Sequence, residues 1–324
     1  MKAAIIGGGI IGGGWAARLA LNGWDVTVYD KSSRAIERLH QVVSTAREFM
    51  PQLYDVALPA EGTITVCESI KDAVADADWV QESVPERIDI KVEVLSAISL
   101  ASRSDALLAS STSGLLPSAL AENLPNRERF VVVHPFNPVY LLPLVEVVPS
   151  QWTSEDIVSR AADTLRQLGM RPLILRREID GFVANRLQEA IWRESLWMLR
   201  DGVATIAEID DAVKFGFGLR TAQMGQFETF RIAGGEGGMA HYLAHFGPLL
   251  AAPWSHLTNV PDLDDNLIQQ IATQSDEQCG HLSIGELERL RDENLVSIIR
   301  SLKPSRSGAG DTAVLHDQLL SKKR

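Results

Sequence analysis

Residues 3–12 read Ala-Ala-Ile-Ile-Gly-Gly-Gly-Ile-Ile-Gly, a short apolar run that breaks at once into glycine. The break has the pattern G-x-G-x-x-G, at Gly7-Gly8-Gly9-Ile10-Ile11-Gly12, and a helical stretch follows to Asn22. In that context each glycine has a separate task. Gly7 permits a tight turn, Gly9 lets backbone come close to a pyrophosphate, and Gly12 lets a helix pack against the strand. The free N–H groups at the start of the helix, at Ile10 and Ile11, complete an anion cradle. A plain βα turn is the alternative, and the flanking strand and helix argue against it.

A second β-rich run, Val26–Tyr29, ends at Asp30, 18 residues beyond Gly12. A carboxylate there accepts hydrogen bonds from both hydroxyls of an adenosine ribose and repels a 2′-phosphate, which favours NAD over NADP. Lys31 and Arg34 soften that preference, because a nearby cation accommodates a phosphate.

The alternation continues. Ala3–Ile6, Thr63–Val66, Trp79–Gln81, Leu107–Ala109 and Phe130–Val133 read as further strands, with helices at Ser33–Met50 and Ile88–Leu100 between some of them. Leu144–Val148 and Arg171–Leu175 read as strands flanking a helix, Glu155–Leu168. Strand–helix alternation implies a mostly parallel sheet covered on both faces, an α/β Rossmann-type domain. After Asp180 the texture becomes helical, so residues 1–180 are expected to form the Rossmann domain and residues 181–324 an all-α domain. The stretch Pro253–Pro261 reads as an irregular gap, and Ser307-Gly308-Ala309-Gly310 as a loop.

A net charge of −11 disfavours nucleic acid, which needs clustered Lys and Arg. The basic end Lys322-Lys323-Arg324 reads as a solvated tail. Cys67 and Cys279 form no CxxC pair, so a disulfide framework is not expected and a reducing compartment fits. With no apolar run long enough to span a bilayer, no membrane contact and a cytoplasmic location are expected.

Phe130–Val133 runs into His134-Pro135-Phe136-Asn137-Pro138, and Glu146 follows 12 residues after His134 within an apolar run. Strand–loop–strand geometry can bring the two side chains together. An imidazole titrates near neutrality and can take a hydroxyl proton while hydride leaves the carbinol carbon. A carboxylate behind it fixes the tautomer and stabilises the imidazolium. On spacing alone, a core histidine beside an unrelated glutamate fits equally well.

The segment resembles the signature of the L-3-hydroxyacyl-CoA dehydrogenase superfamily, with its His, Asn-Pro and Glu at this separation. Ala109-Ser110-Ser111-Thr112-Ser113-Gly114-Leu115 resembles that family's Ser-Asn-Thr-Ser loop, with Ser111 in place of Asn. Glu82-Ser83-Val84-Pro85-Glu86 with Lys91 resembles its stretch beside the nicotinamide ribose, and Gly181-Phe182-Val183-Ala184-Asn185-Arg186 the start of its first C-terminal helix. The resemblance implies the following roles. His134 is the general base and Glu146 orients it. Ser110 and Asn185 hydrogen-bond the reacting oxygen or align His134. Asn137 supports the loop, and Glu86 and Lys91 sit near NAD.

Residues 40–62 carry one cation, Arg47, against Glu48, Asp55 and Glu61, a poor footprint for an anionic CoA ester. The wording of His134–Val148, of Phe230–Met239 and of His245–Pro248 is similar to the carnitine-oxidising branch of the superfamily. That resemblance implies L-carnitine as the small-molecule substrate and a homodimer formed through the helical half, where helices such as Ile191–Leu199 are too apolar for one small domain to bury. A quaternary ammonium seeks aromatic faces; Tyr140 and Phe227 are the first candidates, with Trp192, Trp197, Phe215, Phe217 and Phe230 behind them. Arg193, Arg220 and Arg231 are candidates for the carboxylate. His241 and His245, four apart, read as surface histidines rather than metal ligands, and no metal is expected. An acyl-CoA or L-gulonate dehydrogenase, or a non-catalytic NAD-binding protein related to lens crystallins, are the alternatives.

Overall fold

The structure is a computed structural model that describes residues 1–53, 57–222 and 224–252 and scattered positions between 264 and 306. Cys279, the stretch 253–261, the segment 307–310 and the basic tail lie outside the described residues.

Two compact units are distinguished, Met1–Leu187 and Gln188–Arg324. The first is built on an eight-stranded sheet. Its strands are β1 (Lys2–Ile6), β2 (Asp25–Tyr29), β3 (Ile64–Val66), β4 (Trp79–Glu82), β5 (Leu107–Ser110), β6 (Phe130–Pro135), β7 (Leu144–Pro149) and β8 (Arg171–Ile174). The spatial order is β3-β2-β1-β4-β5-β6-β7-β8, parallel throughout except where β7 runs antiparallel to β6. The helices between them are α1 (Ile10–Leu21), α2 (Ser33–Phe49), α3 (Ile70–Val74), α4 (Ile88–Ala101), α5 (Pro117–Ala121) and α6 (Glu155–Gln167).

Both faces of the sheet are buried, which is why its strands read as continuous apolar runs rather than alternating ones. Ala3 and Ile5 of β1 pack with Trp15, Leu19 and Leu39 on one face, and Ala4 and Ile6 pack with Leu95, Ile98 and Phe130 on the other. Helix starts are set by capping side chains. Ser32 accepts from Ala35 N–H at the head of α2, and Ser154 from Ile157 N–H at the head of α6. Pro51 follows the end of α2, where the chain tightens into a 3-10 turn over Met50–Leu53.

The strand order reverses direction between β1 and β4. Open α/β sheets bind their ligands at such a switch point, beyond the carboxyl ends of the strands. The glycine turn after β1, Glu82 at the end of β4, Ser110 at the end of β5 and His134 near the end of β6 all lie along that edge.

The chain then turns helical, through α7 (Ala184–Arg200), α8 (Ile206–Ala212), α9 (Gly218–Thr221), α10 (Gln226–Ala233) and α11 (Gly238–Phe246). Thr205 and Glu208 form a reciprocal capping box at α8. Within the second unit, Phe230 stacks on Tyr242 at 4.8 Å between ring centroids, and Arg231 pairs with Asp276. A cavity of about 540 Å³ is lined by Ile191, Trp192, Leu196, Leu199, Ile209 and Val213. No helix among the described residues is long and apolar enough to cross a membrane.

Candidate active site

The glycine turn has the geometry its spacing demands. Gly7 sits at φ +107°, and a Cβ there would lie 2.5 Å from the carbonyl oxygen of Ser83. A Cβ on Gly12 would lie 1.8 Å from the carbonyl oxygen of Gly7. At Gly9 nothing lies within 4 Å, so this backbone faces open space beside the N-terminus of α1. No side chain caps α1, and its first turn carries no acidic residue. Donors are therefore free for an anion, and a dinucleotide pyrophosphate fits this edge. Asp30 accepts the N–H of Gly8 on one oxygen at 2.7 Å and the N–H of Ser32 on the other at 2.8 Å. The carboxylate thus clasps the turn to the end of β2, and each oxygen keeps a lone pair for a ribose hydroxyl.

His134 and Glu146 face each other directly across the antiparallel pair β6–β7. Nδ1 of His134 lies 2.9 Å from Oε2 of Glu146, and both side chains are buried. The other oxygen of Glu146 accepts the N–H groups of Val183 at 2.8 Å and Ala184 at 3.0 Å, at the head of α7. Burial pushes this carboxyl up, but the bonds from His134, Ala184 and Val183 outweigh it and hold Glu146 below the usual carboxylate range. An ionised carboxylate only accepts, so Nδ1 of His134 is the donor in this pair, and Nε2 is the ring nitrogen that Glu146 leaves unengaged. The imidazole is walled by Phe136 and Phe182, with ring centroids at 4.8 and 5.5 Å. Phe182 is fully buried at φ +52°, after Gly181 at +69°. A phenylalanine in the left-handed region costs about 1–2 kcal/mol. This turn is what swings the Val183 and Ala184 N–H groups onto Glu146.

Ser110 goes elsewhere. Its hydroxyl donates to Oε2 of Glu82 at 2.5 Å, and no hydrogen bond joins it to His134 among the described residues. The other oxygen of Glu82 accepts Lys91 Nζ at 2.8 Å and Val84 N–H at 2.7 Å. Burial pushes the Glu82 carboxyl above its ordinary value, against the pull of the Lys91 ammonium. Lys91, itself buried, also reaches Glu86 at 3.3 Å. Glu86 accepts from the Thr112 hydroxyl and from the N–H groups of Ser113 and Gly114. Burial raises this carboxyl, but the Thr112 hydroxyl, Lys91 and Ser113 N–H prevail and hold it below the usual range. Asn185 donates to the carbonyl of Ser113 at 2.8 Å. Glu86, Lys91 and Asn185 therefore brace one loop, residues 110–114, from two sides. Ser111, in the position of the expected Asn, accepts from Trp15 Nε1 and Gln81 Nε2.

Asn137 and Tyr140 line a recess of about 360 Å³ with Ile10, Arg38, Gln41 and Thr45. Phe227 lies on α10 in the second unit with its side chain exposed. His241 and His245 stack on each other on α11. Among the described residues no three His, Cys, Asp or Glu side chains gather as a metal site would need.

One residue that motif spacing does not mark is Arg18. It is fully buried in α1, with Nε on the carbonyl of Val139 at 2.7 Å and Nη1 on that of Leu168 at 2.8 Å. It ties the loop after His134 to the first helix. The signal was available as a lone charge in the apolar run Trp15-Ala16-Ala17-Arg18-Leu19-Ala20-Leu21. Such a buried charge needs partners.

Comparison with known proteins agrees with this geometry. Residues 2–179 match the family described as 3-hydroxyacyl-CoA dehydrogenase, NAD binding domain, and residues 181–260 match its C-terminal domain. The chain is 51% identical over 321 residues to a Ruegeria pomeroyi protein named L-carnitine dehydrogenase/betainyl-CoA thioesterase, covering 99% of this chain but 66% of that one. The chain thus spans about two thirds of the length of that two-activity relative. It is 49% identical to the L-carnitine dehydrogenase of Mesorhizobium japonicum, covering 95% of this chain and 85% of that one. Among solved structures, an NAD+-dependent 5-formyl-3-hydroxy-2-methylpyridine 4-carboxylic acid 5-dehydrogenase superposes with a TM-score of 0.73 at 30% identity, covering 93% of this chain and 98% of that one. With its glycine turn, its cross-strand His–Glu pair and these matches, the chain belongs to the 3-hydroxyacyl-CoA dehydrogenase family, whose NAD-binding domain forms its N-terminal part.

Proposed function

We propose that this chain oxidises the secondary hydroxyl of L-carnitine to 3-dehydrocarnitine with NAD as the oxidant. The hydrogen bond from His134 Nδ1 to Glu146, which leaves Nε2 as the nitrogen available to substrate, carries the chemistry. The names of relatives about half identical to this chain support the substrate.

Gly7, Gly9, Gly12 and the N–H groups of Ile10 and Ile11 hold the dinucleotide phosphates, Asp30 its adenosine ribose, and Glu86 and Lys91 flank its nicotinamide end. When bound, NAD supplies an acceptor for the carbinol hydride. Nε2 of His134 takes the hydroxyl proton. Glu146 keeps the ring in one tautomer and balances the imidazolium, a role worth several orders of magnitude in related acid–base pairs. The Val183 and Ala184 N–H groups keep that carboxylate charged and fixed. Phe136 and Phe182 keep water off the base. Ser110 and Asn185 lie beside the reacting oxygen, and Asn137 and Tyr140 contact substrate, the Tyr140 ring facing its trimethylammonium. The helical half forms a homodimer interface through the exposed apolar face of α7, which includes Ile191, Trp192 and Leu196. A cytoplasmic setting fits the free Cys67.

The test is NADH formation from L-carnitine, 3-hydroxybutyryl-CoA and L-gulonate side by side. The expected result is turnover of L-carnitine with a kcat/KM well above the other two. Preference for the CoA ester or the gulonate overturns the substrate. Binding of NAD with no turnover of any alcohol overturns the enzyme reading itself.

A further inference from the structure

A chain of hydrogen bonds beneath the glycine turn ends on a hydroxyl that the contacts described so far leave unused, that of Ser83. An indole N–H only donates, so the bond from Trp79 Nε1 at 3.0 Å fixes which end of the Gln81 amide is its carbonyl oxygen. The amide nitrogen of Gln81 must then face the other way, where it donates to the carbonyl of Val133 at 3.2 Å and to Ser111 Oγ at 2.8 Å. Trp15 Nε1 donates to the same hydroxyl at 3.2 Å. Both lone pairs of Ser111 are thereby filled, so in its contact with Ser83 Oγ at 2.9 Å it is Ser111 that donates. Ser83 accepts from within the protein and keeps its own proton. Among the described residues that hydroxyl meets no second partner. A hydroxyl that already accepts one hydrogen bond is the stronger donor of the next.

The place where this chain surfaces is the dinucleotide edge. Trp15, Gln81 and Ser111 are buried, whereas Ser83 is partly exposed. Its N–H donates to the carbonyl of Ile6 at 2.7 Å, and its own carbonyl is the one that leaves no room for a Cβ on Gly7. Ser83 thus sits against the glycine turn at the switch point, where β4 lies on one side of β1 and β2 on the other. Asp30, assigned above to the adenosine ribose, ends β2. Ser83 follows β4, on the side of the other half of the dinucleotide.

We infer that Ser83 is a cofactor-binding residue whose hydroxyl donates to an oxygen of the ribose 5-phosphate on the nicotinamide side of NAD. Every oxygen of that unit can accept. The donor's inner lone pair is already committed by Ser111, so little ordering is left to be done on binding. The inference rests on the placement of the adenosine half beside Asp30.

The experiment measures the affinities of NAD, ADP-ribose and AMP by displacement of NADH fluorescence, with no turnover involved. ADP-ribose retains the second ribose 5-phosphate and lacks nicotinamide, and AMP lacks both. In Ser83→Ala the Kd of NAD and of ADP-ribose is expected to rise about tenfold, the size of one hydrogen bond lost, while that of AMP stays put. Damage to the glycine turn would weaken AMP as well, so an equal loss for all three ligands overturns the inference. Wild-type affinity for NAD and ADP-ribose in Ser83→Ala overturns it too. Ser83→Cys, similar in size but a weak donor, should behave like Ser83→Ala, and it decides alone if the alanine variant does not fold. Wild-type affinity in Ser83→Cys would show that shape rather than the donated proton matters, and overturns the inference. An Asp30→Ala protein that binds AMP and NAD as the wild type does overturns the placement of the dinucleotide instead.

Discussion

His134 and Glu146 are cross-strand partners, one on β6 and one on β7, and their contact at 2.9 Å is set by strand register rather than by a flexible loop. A base held this way should be sensitive to chemistry and insensitive to small shifts of its surroundings. His134→Ala is expected to lower kcat by about 10²–10⁴-fold while NAD binding, measured by calorimetry, stays within a small factor of wild type. Glu146→Gln, which cannot stabilise an imidazolium, should lose on the order of 10²-fold or more. Retention of wild-type turnover by either variant would remove the pair from the mechanism.

Glu146 should also leave a mark on stability. Its carboxyl is held below the ordinary value by bonds from His134, Ala184 and Val183 that outweigh burial. A group depressed in the folded protein contributes stability that is fully present above the unfolded carboxylate range, about pH 4–5, and is lost as pH falls through the folded value. The melting temperature of the wild type minus that of Glu146→Gln should therefore grow as pH is raised from about 3 to 5 and then level off. A difference that is flat, or that shrinks over this range, contradicts the assignment.

The glycine turn separates folding from binding. A methyl group at Gly9 meets nothing within 4 Å, whereas one at Gly12 collides with the Gly7 carbonyl. Gly9→Ala should fold with a near wild-type melting temperature and bind NAD roughly tenfold or more weakly, since the methyl occupies the space a pyrophosphate needs. Gly12→Ala should lose both stability and binding. Fluorescence titration with NADH beside thermal melts distinguishes the two.

Arg18→Met tests the anchor of the loop after His134. It leaves the carbonyls of Val139 and Leu168 without this partner, at about 1–3 kcal/mol for each buried group unpaired. A lower urea midpoint should accompany a raised KM for the alcohol, because residues 137–142 lose their tie to α1. Unchanged stability would show that the carbonyls find other donors.

Much of this was legible in the chain itself, because it was written in local terms. The strands of the sheet declare themselves as short β-branched runs, and the observed ends differ by a residue or two, as at Trp79–Glu82 against the expected Trp79–Gln81. The approach of His134 to Glu146 follows from a tight strand–loop–strand path of 12 residues. What was not legible concerns the direction in which a side chain points. Ser110 reads as a partner of substrate or of His134, and its hydroxyl lies on Glu82. Nothing in the spacing of residues 82 and 110 announces that β4 and β5 set them side by side. Arg18 and Phe182 act through contacts more than a hundred residues apart or through a left-handed backbone, and neither leaves a periodic trace.

Residues 181–185 have a practical bearing on anyone recombining dehydrogenases. The N–H groups of Val183 and Ala184 and the side chain of Asn185 reach back to Glu146 and to the Ser113 carbonyl, and the first compact unit runs on to Leu187. A chimera joined at residue 180 would take two of the three donors to Glu146 from the foreign segment, and the base would hold only if that segment rebuilt the left-handed turn at Gly181 and Phe182. The seam for swapping in a foreign specificity module belongs after Leu187, where the cut severs none of these three bonds.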